Sequence, residues 1–112
     1  MAEVTLRDIE AARERFDDPA IVRQTPIETN RSLSEMSGGD VHLKMEHLQR
    51  TGSFKTRGAY NKLKQEAAAG GDKHVVAASA GNHAQGVALA ATTVGLESTI
   101  VMPENAPQAK ID

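Results

Sequence analysis

Apolar positions recur along this chain at two different periods, and the places where the period changes mark its elements. Leu6, Ile9 and Phe16 fall at helical spacing, which predicts an amphipathic helix opening at Thr5 and stopping near Asp17-Asp18-Pro19. Thr5 can cap that helix, and Asp8, three residues on, completes a near relative of the capping box. Thr25-Pro26-Ile27-Glu28 reads as an extended segment. A short helix is predicted over 32–36, ended by the turn signal Ser37-Gly38-Gly39-Asp40. Residues 41–45 read as a strand, and a second long helix runs out to about Ala68, closed by Gly70-Gly71-Asp72. His74 to Ser79 is short and mostly apolar, as a buried strand would be. Residues 87–94 are apolar almost all round, which predicts a buried helix whose alanines allow close approach to a sheet, ended by Gly95. Residues 98–102 read as another buried strand stopped by Pro103. A last helix is predicted to begin at Ala106-Pro107, with Pro107 at a tolerated early position.

Strands alternating with helices in this way indicate the α/β class, an open parallel sheet with flanking helices. Crossovers in such a sheet are right-handed, and ligands bind beyond the carboxyl ends of the strands. Two glycine-bearing strand-to-helix loops, 49–55 and 79–86, are therefore expected on one edge of the sheet, sharing one site.

Composition narrows the function classes. The 112 residues suffice for one domain with a modest core, and 39% hydrophobic with 25% charged residues reads as soluble and globular. With one tyrosine, two phenylalanines and no tryptophan, aliphatics and alanines must build the core, and platforms for single-stranded nucleic acid are lacking. The net charge of −2 comes with no basic stripe, which argues against a duplex-binding surface. The absence of cysteine excludes disulfides, thiolate zinc sites and thiol catalysis. No apolar run approaches membrane-spanning length, and Met1-Ala2-Glu3-Val4 begins nothing like a signal peptide, so a cytoplasmic location and no membrane partner are expected. His42, His47, His74 and His83 lack metal-ligand spacing and read as surface or capping residues, with no metal expected.

The candidate chemistry lies in the two loops. In Thr51-Gly52-Ser53-Phe54-Lys55-Thr56-Arg57-Gly58-Ala59, Ser53 stands where a helix N-cap would, which puts Lys55 in the first helical turn. Cations prefer helix C-termini, so a lysine held here has its neutral, nucleophilic amine favoured. The plainer alternative is a surface lysine extending from a helix start. In Ser79-Ala80-Gly81-Asn82-His83-Ala84-Gln85-Gly86, Gly81 permits close backbone approach to a ligand and the helix start offers N–H donors to an anion. Asn82 carries a carbonyl and an amide suited to a planar ring substituent or a carboxylate. Here too a plainer alternative stands: Ser79 or Asn82 only caps the helix, and Gly81 only turns the chain. Gly81 and Gly86 have phosphate-loop spacing, but Val87-Ala88 follow where Lys-Ser or Lys-Thr is required.

Taken together, Ser53-Phe54-Lys55-x-Arg57-Gly58-Ala59 and Ser79-Ala80-Gly81-Asn82-His83-Ala84-Gln85-Gly86 closely resemble the N-terminal part of the threonine dehydratases (threonine ammonia-lyases). These are fold-type-II, tryptophan-synthase-β-like enzymes that use pyridoxal 5'-phosphate. Thr25-Pro26, Lys44-x-Glu46-x-x-Gln49 and Met102-Pro103-Glu104-x-Ala106-Pro107-x-x-Lys110 extend the resemblance along nearly the whole chain. The resemblance implies that Lys55 bonds the cofactor aldehyde and serves as general base and acid, that Phe54 packs near the cofactor, and that Asn82 bonds the ring hydroxyl. It implies that Ser79, Gly81, Asn82 and His83 meet the substrate carboxylate. It also implies an amino-acid substrate, threonine or serine, and a homo-oligomer. Serine racemases of this kind commonly carry a serine at the position of Ala80, so a methyl there favours elimination over racemisation. Because the family's glycine-rich phosphate loop has no match, the 112 residues read as a single incomplete α/β domain, an N-terminal fragment expected to be weakly stable and largely inactive alone. The competing reading is a non-catalytic α/β module binding a small anion at two helix starts.

Overall fold

A computed structural model describes residues 2–71 and 73–105; Asp72 and the helix predicted from Ala106-Pro107 lie outside the described residues. The first helix, α1 (Leu6–Glu14), carries the capping box predicted for it. Thr5 N donates to Asp8 Oδ2 at 2.8 Å and Asp8 N donates to Thr5 Oγ1 at 3.3 Å. The Thr5 hydroxyl also donates to Asp8 Oδ2 at 2.6 Å, and this bond first, with that from Thr5 N second, holds the Asp8 carboxyl below its ordinary range. The helix stops at Arg15, ahead of the predicted Asp17-Asp18-Pro19. No residue of α1 is buried, and of its expected apolar face only Phe16, just past the helix, packs on the core.

Next come β1 (Ile27–Thr29), α2 (Arg31–Ser37) and β2 (His42–Lys44). Asn30 caps α2 by accepting from Leu33 N at 2.9 Å, and Ser34 Oγ accepts from Val41 N at 2.9 Å, so the chain folds back directly after the helix. As a result β2 pairs antiparallel with β1, Ile27 opposite Lys44 and Thr29 opposite His42. The strand leading to the lysine loop was expected in the parallel sheet, and this pairing corrects that expectation. Once α2 returns the chain beside the extended Thr25-Pro26 segment, the backbone groups of 42–44 are satisfied locally.

After a short 3-10 turn at Glu46–Leu48 come α3 (Lys55–Ala69), β3 (His74–Ala78), α4 (Asn82–Val94) and β4 (Glu97–Val101). β3 and β4 pair in parallel, from His74 opposite Glu97 to Ala78 opposite Val101. This β3–α4–β4 unit establishes the α/β class. The core is aliphatic and alanine-rich, as composition required: Ile21 and Val22, then Ala59, Tyr60 and Leu63 of α3, then Val87, Ala90 and Ala91 of α4. Ala90 and Ala91 are fully buried. With such short side chains at the crossing, the two helix backbones come close together. Alternate residues of the sheet, Val75, Ala77 and Ile100, pack on this core. Val76 and Val101 are exposed on the opposite face.

Among the described residues Thr56 is the one polar residue buried without any exposure, and its Oγ1 donates to Ile21 O at 3.3 Å. That bond ties α3 to the Ile21-Val22 segment from inside the core. Thr56→Val keeps the volume but strands the Ile21 carbonyl, so it is expected to lower unfolding free energy by about 1 kcal/mol in urea titration.

Candidate functional site

Upstream of the lysine, a polar network fixes the loop. Gln49, 3% exposed, donates to Arg23 O at 2.9 Å and accepts from Arg23 N at 2.8 Å, so its amide pairs with the backbone of another segment. The same Gln49 Nε2 donates to Glu46 Oε2 at 2.9 Å, and Thr25 Oγ1 does so at 2.9 Å. Arg57 Nε pairs with Glu46 Oε1, and Arg57 Nη2 donates to Oε2 at 3.3 Å. The Arg57 guanidinium comes first among the causes that hold the Glu46 carboxyl down at about 2, burial opposing it. Phe16 lies under the Arg57 guanidinium, 5.7 Å from ring centroid to Cζ. The first turn of α3 is thereby clamped to the 3-10 turn that follows β2 and, through Glu46 and Gln49, to the Arg23–Thr25 segment.

Between clamp and helix, Gly52 turns the chain at φ 78, in the left-handed region, with its N donating to Gln49 O at 2.8 Å. The helix then starts one residue later than expected. Phe54 is its N-cap, in helical conformation and with no side-chain cap, so the expected Ser53 cap is corrected. A capping side chain needs an extended residue beneath it, and here the chain is already coiling at Phe54. Ser53 Oγ and Thr51 Oγ1 are buried instead, with no hydrogen-bond partner among the described residues.

Lys55 is the first residue of α3. Its side chain is exposed and its amine makes no hydrogen bond or ion pair with a described residue. The side chain thus does not turn inward, and its exposure is what the plainer alternative of a surface lysine at a helix start describes. The buried stripe of α3 is Thr56, Ala59, Tyr60 and Leu63, and Lys55 falls beside that stripe rather than on it. Its backbone is another matter. A Cβ placed on Gly86 would stand 3.2 Å from the Lys55 carbonyl oxygen and 3.4 Å from Thr56 N, so the lysine turn rests directly on the first turns of α4.

The second loop leaves β3 at Ser79, whose N donates to Val101 O at 2.9 Å and whose Oγ accepts from Gly81 N at 3.2 Å. Neither Ser79 nor Asn82 caps α4. The N-cap is Gly81, without a side-chain cap. Ser79, Ala80, Gly81 and Asn82 are half-buried, while His83 and Phe54 are exposed. The structure thus brings the backbone of the lysine turn against the helix that the asparagine loop begins. It does so across a helix–helix contact, and not along one sheet edge.

A cleft of about 640 Å³ lies elsewhere, between α1 and the loop clamp, lined by Ile9, Phe16, Val22, Arg23, Lys44 and Arg57 among others. Of the lysine motif only Arg57 lines it; Phe54, Lys55, Ser79, Gly81, Asn82 and His83 do not. Sequence reasoning gave no role to Gly86, Glu46, Gln49 or Thr56. The apolar pair Ile21-Val22 between two prolines is a signal for the partner of Thr56, Gly86 with Ala90 four residues apart for the helix contact, and Lys44-x-Glu46-x-x-Gln49 for the polar network.

Comparison with known proteins places this arrangement. The family model described as "Pyridoxal-phosphate dependent enzyme" matches residues 20–112. L-threonine ammonia-lyase of Thermotoga maritima is 52% identical over 108 residues, 96% of this chain and 26% of that protein. L-threonine dehydratase catabolic TdcB of Staphylococcus aureus is 50% identical over 108 residues, 96% of this chain and 31% of that protein. The chain therefore spans between a quarter and a third of the length of these relatives. Among solved structures, a pyridoxal 5'-phosphate-dependent aspartate racemase superposes with a TM-score of 0.83 at 35% identity, over 100% of this chain and 35% of that one. With the family match running over residues 20–112 and relatives about 50% identical over 96% of its length, the chain belongs to the pyridoxal-phosphate dependent enzymes.

Proposed function

We propose that this chain is the lysine-bearing part, a single incomplete α/β domain, of a threonine and serine dehydratase. The whole enzyme would deaminate L-threonine to 2-oxobutanoate and ammonia. The observation that carries the reading is the seating of Lys55's backbone on α4 at Gly86, beside the asparagine loop, with the lysine amine unengaged by any described residue. The same observation fits pyridoxal phosphate, which needs an available primary amine for its aldehyde. When bound, the cofactor supplies that aldehyde and a ring able to accept electrons. Lys55 would hold the cofactor at its aldehyde, and its amine would take the proton from the substrate Cα. Asn82 would hold the ring hydroxyl, Phe54 would pack beside the ring, and Ser79, Gly81, Asn82 and His83 would hold the substrate carboxylate. Loss of the Cα proton and the β-hydroxyl releases one water, and hydrolysis of the product takes one water back, leaving the 2-oxo acid and ammonia in balance. Threonine relatives of about 50% identity support this substrate, and one of them is described as catabolic, so a place in isoleucine biosynthesis gains no support from them. A cytoplasmic homo-oligomer completes the reading. Among the described residues, no helix is long and apolar enough to cross a membrane.

Incubation of the chain with pyridoxal phosphate, borohydride reduction and peptide mapping tests the assignment. One dominant adduct at Lys55 is expected. Labels scattered over surface lysines such as Lys62 and Lys73 would favour the non-catalytic anion-binding module.

The likeness to an aspartate racemase favours one second reading, racemisation at the same site. Against it stands Ala80, whose methyl cannot exchange a proton with the opposite face of the substrate. In the full-length enzyme, Ala80→Ser is expected to add serine racemisation to elimination. Chiral chromatography of recovered L-serine reads this out. Recovered serine that stays wholly L would remove Ala80 from the explanation.

A further inference from the structure

We infer that Gly86 is a positioning residue: by lacking a side chain it lets the Lys55 carbonyl rest against α4, and so sets where the Lys55 amine stands relative to Asn82. The inference rests on the reading of Lys55 given above. Gly86 is buried and helical, in the second turn of a helix that otherwise tolerates Cβ atoms at its buried positions Ala84, Val87, Ala90 and Ala91. Its need for hydrogen is therefore local. A Cβ there would meet Lys55 O at 3.2 Å, Lys55 C at 3.3 Å and Thr56 N at 3.4 Å, and nothing else so close. All three atoms are backbone, so no side chain can swing away. The lysine turn itself must give by a few tenths of an ångström. Its other face is held by Thr56 Oγ1 on Ile21 O and by the Glu46–Arg57 clamp, so the displacement goes into the turn bearing the amine. Gly58, in the same turn, is different: a Cβ there meets nothing within 4 Å. Asn82 lies one helical turn before Gly86, so this contact sets how far the backbone that carries the lysine stands from the asparagine.

Gly86→Ala, Ala90→Val and Gly58→Ala in the full 112-residue chain test the inference. Each is labelled with pyridoxal phosphate and borohydride, and in parallel with acetic anhydride, which reports bare amine accessibility. Misplacement by a fraction of an ångström costs around tenfold in a reaction that needs alignment. Gly86→Ala is expected to melt cooperatively and to lose about tenfold in the ratio of pyridoxal to acetyl label at Lys55, with other lysines unchanged. Gly58→Ala is expected to keep the ratio. Ala90→Val, which overpacks the same helix pair away from the lysine, is expected to lower the melting temperature and keep the ratio. An unchanged ratio in Gly86→Ala, an equal fall in Ala90→Val, or loss of the folded state in Gly86→Ala would each overturn the positioning role. Absence of selective Lys55 labelling in the unsubstituted chain would instead bring down the proposed function, and the inference with it. The two failures are thus told apart by the first lane of the experiment.

Discussion

Lys55→Arg is expected to abolish the reducible pyridoxal adduct in this chain and to lower threonine deamination in the full-length enzyme by about a thousandfold or more. Arginine keeps the positive charge and much of the length, so electrostatic attraction for the phosphate-bearing cofactor persists. It cannot shed a proton at accessible pH, and its guanidinium does not form the carbonyl adduct a primary amine forms. The substitution therefore separates charge from nucleophilicity. Lys55 is exposed and forms no described bond, so the folded chain loses nothing that holds it together, and its melting temperature is expected to stay put. An arginine variant that still deaminated threonine at a rate near that of the parent would remove this residue from the chemistry.

Glu46→Gln carries the largest expected effect on stability. The Glu46 carboxyl falls from 4.5 to about 2 through hydrogen bonds from Arg57, Gln49 and Thr25 working against burial. At about 1.4 kcal/mol per unit, that depression is worth on the order of 3 kcal/mol, a large part of the stability of a small domain. The group's folded value lies below its unfolded one, so its contribution is complete above about pH 4.5 and is lost as pH falls toward 2. Glu46→Gln should thus be destabilised at pH 7 by about 3 kcal/mol, with the difference from the parent closing through the acid limb. Urea unfolding at pH 7, 4.5 and 3 measures it. A gap that stayed constant with pH would mean that shape, rather than charge, supplies the clamp.

Local chemistry was legible in the sequence, and long-range pairing was not. The Thr5–Asp8 box, the ends of α2, α3 and α4, and the β3–α4–β4 unit follow from periodicity and turn residues that act over a few positions. The antiparallel partner of β2 did not, because Ile27 to Thr29 shows no alternation and its pairing depends on where α2 returns the chain. Ser53 was misplaced for a related reason: a serine before a run of helix formers is a good cap only if it is extended, and the Gly52 turn decides otherwise. The two loops were found, but their meeting point was placed at a sheet edge. Gly86 joins them across a helix pair, and a lone glycine inside a helix announces only weakness until its neighbour is seen.

The outer face of the β3–β4 ribbon has a consequence at the bench. Val76 and Val101 present apolar surface there, and among the described residues each strand has a single hydrogen-bonded neighbour. Such a ribbon can accept another ribbon alongside it, so concentrating this chain invites stacking between molecules. Dilute handling or a solubilising fusion would keep labelling results those of single molecules.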